Sequence, residues 1–354
     1  MHQYFRAIVA SLTILILSSA PVKAQEATYA ITSVGFYNLE NLFDTENDPT
    51  INDEEFTPEG SKVWNDEKYQ HKLDNMATVI DQMGKDVNPA GVSILGVSEI
   101  ENRKVLEDLT ARDPLSDDGW QIIHYNSPDF RGIDVGLLYK PTIFTPLESR
   151  PLHLDISNSK GEKRTTRDIL YIKGLMGPDT VVIFVNHWPS RRGGEKATRK
   201  FRMDGAAICK TVIDSIREAS PTIKAIIMGD LNDDPVSPSV KKVLRAVGSK
   251  EIVASGGFYN PMYNFFKKGL GSNAYRDAWS LFDQIIISDN FLSTDDAGWI
   301  YYKTEIFRKP FLLQRTGRFK GYPFRTFAGD NFMGGYSDHL PVILHLVMKV
   351  EDGQ

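Results

Sequence analysis

Apolar residues follow two rhythms along this chain, and each change of rhythm marks an element. Residues 29–39 alternate and are β-branched, closing on Phe36-Tyr37-Asn38-Leu39-Glu40, which predicts a buried strand. Apolar runs at 92–97, 120–124, 133–139, 168–175, 181–185, 223–228, 281–287 and 340–348 read as further strands. Within 64–83, Leu73, Met76, Ala77 and Ile80 keep helical spacing, and helices are also expected at 102–112, 195–218 and near 239–247. Strands and helices interleave, yet several strands follow one another directly. That order argues against a simple parallel sheet and predicts an α/β fold of mixed sheets with helices packed outside. No repeat, linker or shift of composition divides the chain, so a single domain is expected.

The first residues break this pattern. Residues 7–19 are continuously apolar behind Arg6, too short a run to span a bilayer, and Val22-Lys23-Ala24 has the small-x-small form of a cleavage site. Residues 1–24 therefore read as a secretory signal peptide and 25–354 as the mature domain, exported to the periplasm or beyond the cell without a stable membrane anchor. No cysteine follows the apolar run, which argues against a lipoprotein; Cys209 is the only one, so no intramolecular disulfide forms. Packing must hold the fold, and 354 residues with 41% hydrophobic side chains are ample for a core. The net charge is −5, and losing Arg6 and Lys23 with the leader takes the mature chain to −7. So acidic a body excludes a whole-surface nucleic-acid coat and confines any polyanion site to a local patch. A monomer is expected.

Chemistry gathers at strand ends. The run Ala225-Ile226-Ile227-Met228 stops at Gly229, and Asp230 and Asn232 follow at once. Four more strand ends offer polar groups: Asn38 with Glu40, Glu99, Asn186 with His187, and Asp338 with His339. Each alone is an ordinary polar turn; five at the ends of apolar strands are not. Asp283 lies inside an apolar run, where a charge is costly unless paired, and His339 is its natural partner. Carboxylates and amides without a thiol cluster suit Mg²⁺ or Mn²⁺ better than Zn²⁺. A hard cation with two histidines and two asparagines is equipment for phosphoryl hydrolysis. The acidic loop 44–55 has some carboxylate spacing of a calcium loop, but Pro49 stands where that loop needs glycine, so it reads as a solvated loop.

The ordered set Phe36-Tyr37-Asn38-Leu39-Glu40-Asn41-Leu42-Phe43, Ser98-Glu99, Asn186-His187-Trp188, Gly229-Asp230-Leu231-Asn232, Asp283-Gln284-Ile285 and Ser337-Asp338-His339 resembles the motifs of the endonuclease/exonuclease/phosphatase superfamily. The likeness runs from about residue 31 to 348 and implies a four-layer α/β sandwich, two packed mixed β-sheets flanked by helices, with the site at one edge. It implies Glu99 as the principal metal ligand, with Asn38, Glu40 and Asp338 as further ligands or holders of its waters. Asp230 would orient or deprotonate the attacking water and Asn232 would bind phosphate. His187 and His339 would contact phosphate oxygens, with Asp283 supporting His339. Glu40 departs from the Asp or Asn usual at its position.

Asn186, Arg131, Arg191 and Arg192 are further candidates for substrate contact, and Tyr275 and Trp279 for stacking on a base or walling the cleft. For Arg131 an ion pair competes with that role, and for the two aromatics core packing does. Basic residues cluster after His187 (Arg191 to Arg202) and before Asp338 (Arg308 to Arg325), which predicts a positive cleft on a negative body. The function read from this is an Mg²⁺-dependent phosphoesterase, first a nuclease of endonuclease type acting on nucleic acid. A phosphomonoesterase or phospholipid or inositol-phosphate hydrolase comes next. An inactive phospho-ligand module would be marked by loss of Glu99 or the Asp-x-Asn pair, and both are present.

Overall fold

The computed structural model describes residues 28–157, 161–293 and 298–350. The expected signal peptide at 1–24 lies outside them. Two large sheets form the body of the molecule, and three two-stranded ribbons stand apart from them. The first contains β1 (Thr28–Leu42), β2 (Ile94–Ile100), β3 (Gln121–His124), β4 (Asp134–Tyr139), β12 (Ile300–Ile306) and β13 (Val342–Val350), in the order β12-β13-β1-β2-β4-β3. The second contains β5 (Phe144–Leu152), β6 (Ile169–Met176), β7 (Asp179–His187), β8 (Lys224–Asp230), β9 (Ala246–Val247), β10 (Phe258–Tyr259) and β11 (Asp283–Ser288), in the order β9-β10-β11-β8-β7-β6-β5. Both are mixed: β1 runs parallel to β2, and β7 parallel to β8, while most other pairs are antiparallel.

Side-chain alternation explains the layers. On β1, Phe36 points into the space between the sheets with Ile94, Val185 and Met228, while Tyr37 points outward to Leu73, Met76 and Ile80 of α1 (Asp66–Gln82). Val105, Leu106 and Leu109 of α2 (Arg103–Thr110) join that outer core. On β8, Ile226 and Met228 face the first sheet, and Ala225 and Ile227 face Ala206, Cys209 and Ile213 of α3 (Glu195–Ala219). The order helix, sheet, sheet, helix is the expected sandwich. Asn65 and Asn102 cap α1 and α2 by accepting from the amides of Lys68 and Val105. The sheets touch closely at Gly96: a Cβ there would lie 2.9 Å from Met228 Cε and 3.1 Å from Val185 Cγ1.

Besides several strands of two or three residues, the structure adds two longer strands to those expected. β5 reads Phe-Thr-Pro-Leu-Glu-Ser-Arg-Pro-Leu, an edge strand whose prolines and charges hide its period; β12 is likewise an edge strand. The helix expected near 239–247 is instead a six-residue π-helical turn, Ser239–Leu244, leading into the short β9.

The topology positions the site. The C-terminal ends of β1, β2, β7 and β8 and the starts of β11 and β13 meet at one edge, where both sheets are open. Register brings Asn38 beside Ser98, His187 beside Asp230, and Asp230 beside Asp283.

Candidate active site

The backbone leaves its ladders where the polar groups begin. Register shifts between Asn38 and Leu42 and between Ser98 and Ile100, so Glu40 and Glu99 occupy bulges that turn them out of the sheet. Glu40, Asn41, Glu99 and Asn232 have φ of 49°, 50°, 57° and 47°, a left-handed conformation costly for residues other than glycine. Three of these four belong to the expected site, the concentration of strain seen where structure serves chemistry.

Asp230 is the hub. Its Oδ2 accepts from Asn38 Nδ2 at 3.2 Å and its Oδ1 from the Asn232 amide at 2.9 Å. The same Oδ2 lies 3.7 Å from His187 Nε2 and 3.8 Å from His339 Nε2, so the carboxylate sits between two imidazoles. Burial, with Asp283 and Glu99 nearby, raises the Asp230 pKa to about 7 against the pull of His339. Glu99, the most open of these acids, has Oε2 on the Asn41 amide at 3.1 Å and Oε1 3.8 Å from His187 Nε2.

The histidines differ in charge. Burial would lower the His339 pKa, but its Nδ1 is 2.7 Å from Asp283 Oδ2, and Asp283 and Asp230 together hold the imidazole well above its ordinary value. The expected pairing of Asp283 with His339 is present, with Asp283 fully buried. Burial also lowers His187, and there Arg167 and Arg131 add to it, holding its pKa well below the ordinary value.

Glu40 and Asp338 meet a cation of the protein's own. Arg325 pairs with Asp338 through Nη2 and lies 3.7 Å from Glu40 Oε1, while the Thr326 amide donates to Glu40 Oε2 at 2.7 Å. Burial and Asp338 raise the Glu40 pKa to about 7. Beneath them Lys72 of α1, fully buried, donates to Thr326 Oγ1 at 2.7 Å and to the Tyr336 carbonyl. Burial lowers its pKa to about 8.

Other candidates are placed differently from expectation. Asn186 is turned inward: its Nδ2 donates to the Met228 carbonyl at 3.0 Å and its Oδ1 accepts from Trp188 Nε1 at 2.8 Å. Asn232 Nδ2 donates to the Trp188 carbonyl at 2.9 Å, which fixes that loop against the site. Arg191 is spent on Asp233, Asp234 and the Asn232 carbonyl and lies 4.5 Å over Phe282. Of its basic cluster, Arg202 is fully buried on Asp233, Arg199 pairs with Glu195 and Lys200 with Asp204. In the second cluster Lys309 pairs with Asp86 and Arg308 covers Trp279 at 5.4 Å. The two clusters therefore do not form one open positive track. Trp279 is half-buried against the first sheet's outer core. Tyr275 is exposed and lines a cavity of about 430 Å³ with Phe319 and Met333, opening on Arg325 and Asp338. Arg131 reaches Asp129 Oδ1 at 3.5 Å and Arg192 is exposed; both line a separate cavity on the His187 side.

Sequence reasoning missed Arg167 and Lys72, and had Arg325 only as one of the basic residues expected to line the cleft ahead of Asp338. Arg167 binds Asp129 Oδ2 at 3.1 Å and the carbonyls of His187 and Trp188 at 3.2 and 2.9 Å. None of the three stands in a motif, and only the fold brings them to the site.

A group of carboxylates, two of which (Asp230 and Glu40) are raised in pKa by burial and then by neighbouring acids, with asparagine amides and no thiolate among them, fits a hard divalent cation. Asp230, Asp283 and His339 offer ligand atoms within 4.8 Å of one another, though two of them already bond each other. Glu99, with Asn38 and Asp230 beside it, has the stronger claim. Such an edge of a two-sheet sandwich, with two histidines about one buried aspartate, defines a metal-dependent phosphoester hydrolase. The chain belongs to the endonuclease/exonuclease/phosphatase family, whose sequence profile matches residues 33–348. No curated protein sequence matches. Among solved structures, a family protein from Bacteroides thetaiotaomicron is 16% identical with a TM-score of 0.54, covering 93% of this chain and 99% of its own. TDP2 of D. rerio, humanized by mutation, is 12% identical with a TM-score of 0.53, covering 89% and 98%. TDP2 of D. rerio complexed with single strand DNA product is also 12% identical, at 0.52, covering 90% and 99%. At these identities the likeness is one of fold.

Proposed function

We propose that this chain is an exported, Mg²⁺- or Mn²⁺-dependent phosphodiesterase that cuts nucleic acid, with endonuclease action the first choice. The observation that carries the reading is Asp230 held between a neutral His187 and a charged His339. An aspartate raised to about 7 accepts a proton from an attacking water near neutral pH without being idle as a weak base. Charged His339, fixed by Asp283, faces negative charge developing on a phosphoryl oxygen. Neutral His187 adds a hydrogen bond without repelling the metal. Glu99, with Asn38 beside it, would hold the hard cation, which would supply Lewis-acid stabilisation of the phosphoryl group. Nucleic acid is placed first because an exposed aromatic cavity and a cationic one flank the centre, and because TDP2, which shares the fold, is seen with a single-strand DNA product.

A panel of single-stranded DNA, plasmid DNA, RNA, sphingomyelin and inositol phosphates, each with Mg²⁺ and with chelator, tests this. Cleavage of polynucleotides that chelator abolishes is expected. Turnover of the lipid or the inositol phosphates alone would overturn the nuclease assignment, and full activity in chelator would overturn the metal.

A further inference from the structure

On the His187 side of the centre, a cavity of about 750 Å³ begins where β7 ends, at Pro189 and Ser190. Its walls carry five cations, Arg131, Lys163, Arg164, Arg167 and Arg192, against one acid, Asp129. Asp129 is already shared between Arg167 at 3.1 Å and Arg131 at 3.5 Å. Thr166, also on the wall and almost fully buried, has a hydroxyl with no hydrogen-bond partner. A buried hydroxyl left unpaired is costly, and this one lies in a wall whose other polar groups are mostly cationic. On a chain with a net charge of −5, so many cations around one hollow mark a site for an anion. Arg167 joins the hollow to the chemistry, since it grips the His187 and Trp188 carbonyls.

From this we infer that the cavity binds a second phosphate of the substrate, one linkage away from the phosphate that is cut. Guanidinium forks match phosphate oxygens two at a time, which suits Arg131, Arg164 and Arg192 to this role while Arg167 supplies fixed positive charge beneath them. The aromatic cavity at Tyr275 and Phe319 lies on the opposite, Asp338 side, so the centre has an anion-binding flank and an apolar flank. A head group carrying one phosphate would leave the cationic flank unused. The cleft is built for a substrate with phosphates in series or on one ring, the chemistry of an oligonucleotide or of a polyphosphorylated inositol diester. Phe130, exposed on the rim, adds a ring on which a base can stack, which favours the oligonucleotide.

This inference rests on the phosphodiesterase reading, and its test separates the two. Arg164→Ala, Arg192→Ala and the double variant are assayed with Mg²⁺ on a trinucleotide, an inositol bisphosphate diester and bis(4-nitrophenyl) phosphate. Oligonucleotide binding is measured separately in chelator, where nothing turns over. For each arginine removed, kcat/KM for the two-phosphate substrate relative to the one-phosphate substrate falls about tenfold, the worth of one charge-assisted contact. The slope of log K against log salt becomes shallower by about 0.7 per arginine. A fall with the trinucleotide identifies nucleic acid, and one with the inositol diester alone identifies the other source. If the ratios and slopes stay at wild-type values while the protein hydrolyses phosphodiesters, the second-phosphate subsite is overturned. If nothing is hydrolysed but the variants still weaken binding and flatten its slope, the subsite stands and the enzyme assignment falls.

Discussion

The two sides of Asp230 are near mirror images in distance and opposites in charge. His187 Nε2 and His339 Nε2 stand 3.7 and 3.8 Å from the same carboxylate oxygen, and both rings are buried. Burial pushes both toward the neutral form. On the His339 side Asp283 overrides burial; on the His187 side Arg167 and Arg131 reinforce it. Two histidines equally close to one carboxylate thus differ because burial acts on both while the charge behind each differs in sign. The first sheet supplies His339 and the second His187, and the acids that charge His339, Asp283 and Asp230, stand on the second sheet, so that charge state exists only where the two sheets meet.

The comparison breaks most completely when its shared member is removed. Asp230→Asn should cut kcat by about 10²–10⁴-fold, the scale of a general base, while metal binding by calorimetry is retained. Normal turnover in this variant would end the proposed mechanism. Next comes Asp283→Asn, which takes away what makes His339 different. Turnover should fall about 10²-fold, and the basic limb of the pH–rate profile should move to lower pH, because His339 then loses its proton sooner. A circular-dichroism melt run alongside decides whether the loss is chemical; a variant that does not fold would assign Asp283 to structure alone.

A smaller effect on rate is expected from the opposite change. Arg167→Met should let the His187 pKa rise toward its ordinary value, read by NMR titration of the ring protons, with about a tenfold loss of rate. It leaves Asp129 with Arg131 alone and should cost about 3 kcal/mol in urea unfolding. An unchanged His187 titration would show that burial alone sets it. The smallest effect isolates the fold's own pH response. Glu101 is raised to about 8 by burial, with Asp44 and Asp53 adding to it against the Asp44 amide. The folded state then keeps a proton that the unfolded chain gives up, so the stability that Glu101 contributes is fully present below about pH 4.5 and is lost as pH rises toward about 8. Glu101→Gln should flatten the dependence of Tm on pH across that window and leave activity alone.

Much of this was legible in the sequence because two signals coincided. Period-two strands ended in charged or amide residues, and Asp283 was conspicuous inside Leu281-Phe282-Asp283-Gln284-Ile285, so its need of a partner could be read before the partner was seen. What could not be read is long-range charge pairing. Arg202 and Lys72 look like the solvated residues of amphipathic helices, yet both are fully buried, 31 and 254 positions from Asp233 and Thr326, which take their charge or hydrogen bond. Arg199 with Glu195 and Lys200 with Asp204 are four apart, so the neutralisation of that cluster was readable and the positive cleft overdrawn. β5 was invisible for another reason: an edge strand protects itself with proline and charge, and so hides the alternation that would reveal it.

Gly96 turns the seam between the sheets into a gauge. Glu99 and His339 ride on one sheet, His187 and Asp230 on the other, and the distances among them are therefore differences between two bodies pressed together at a contact where an added methyl group would have to displace Met228. A small slide of one sheet against the other would alter the spacing of these groups while each sheet kept its own structure, much as a worn bearing spoils an instrument whose parts are all intact.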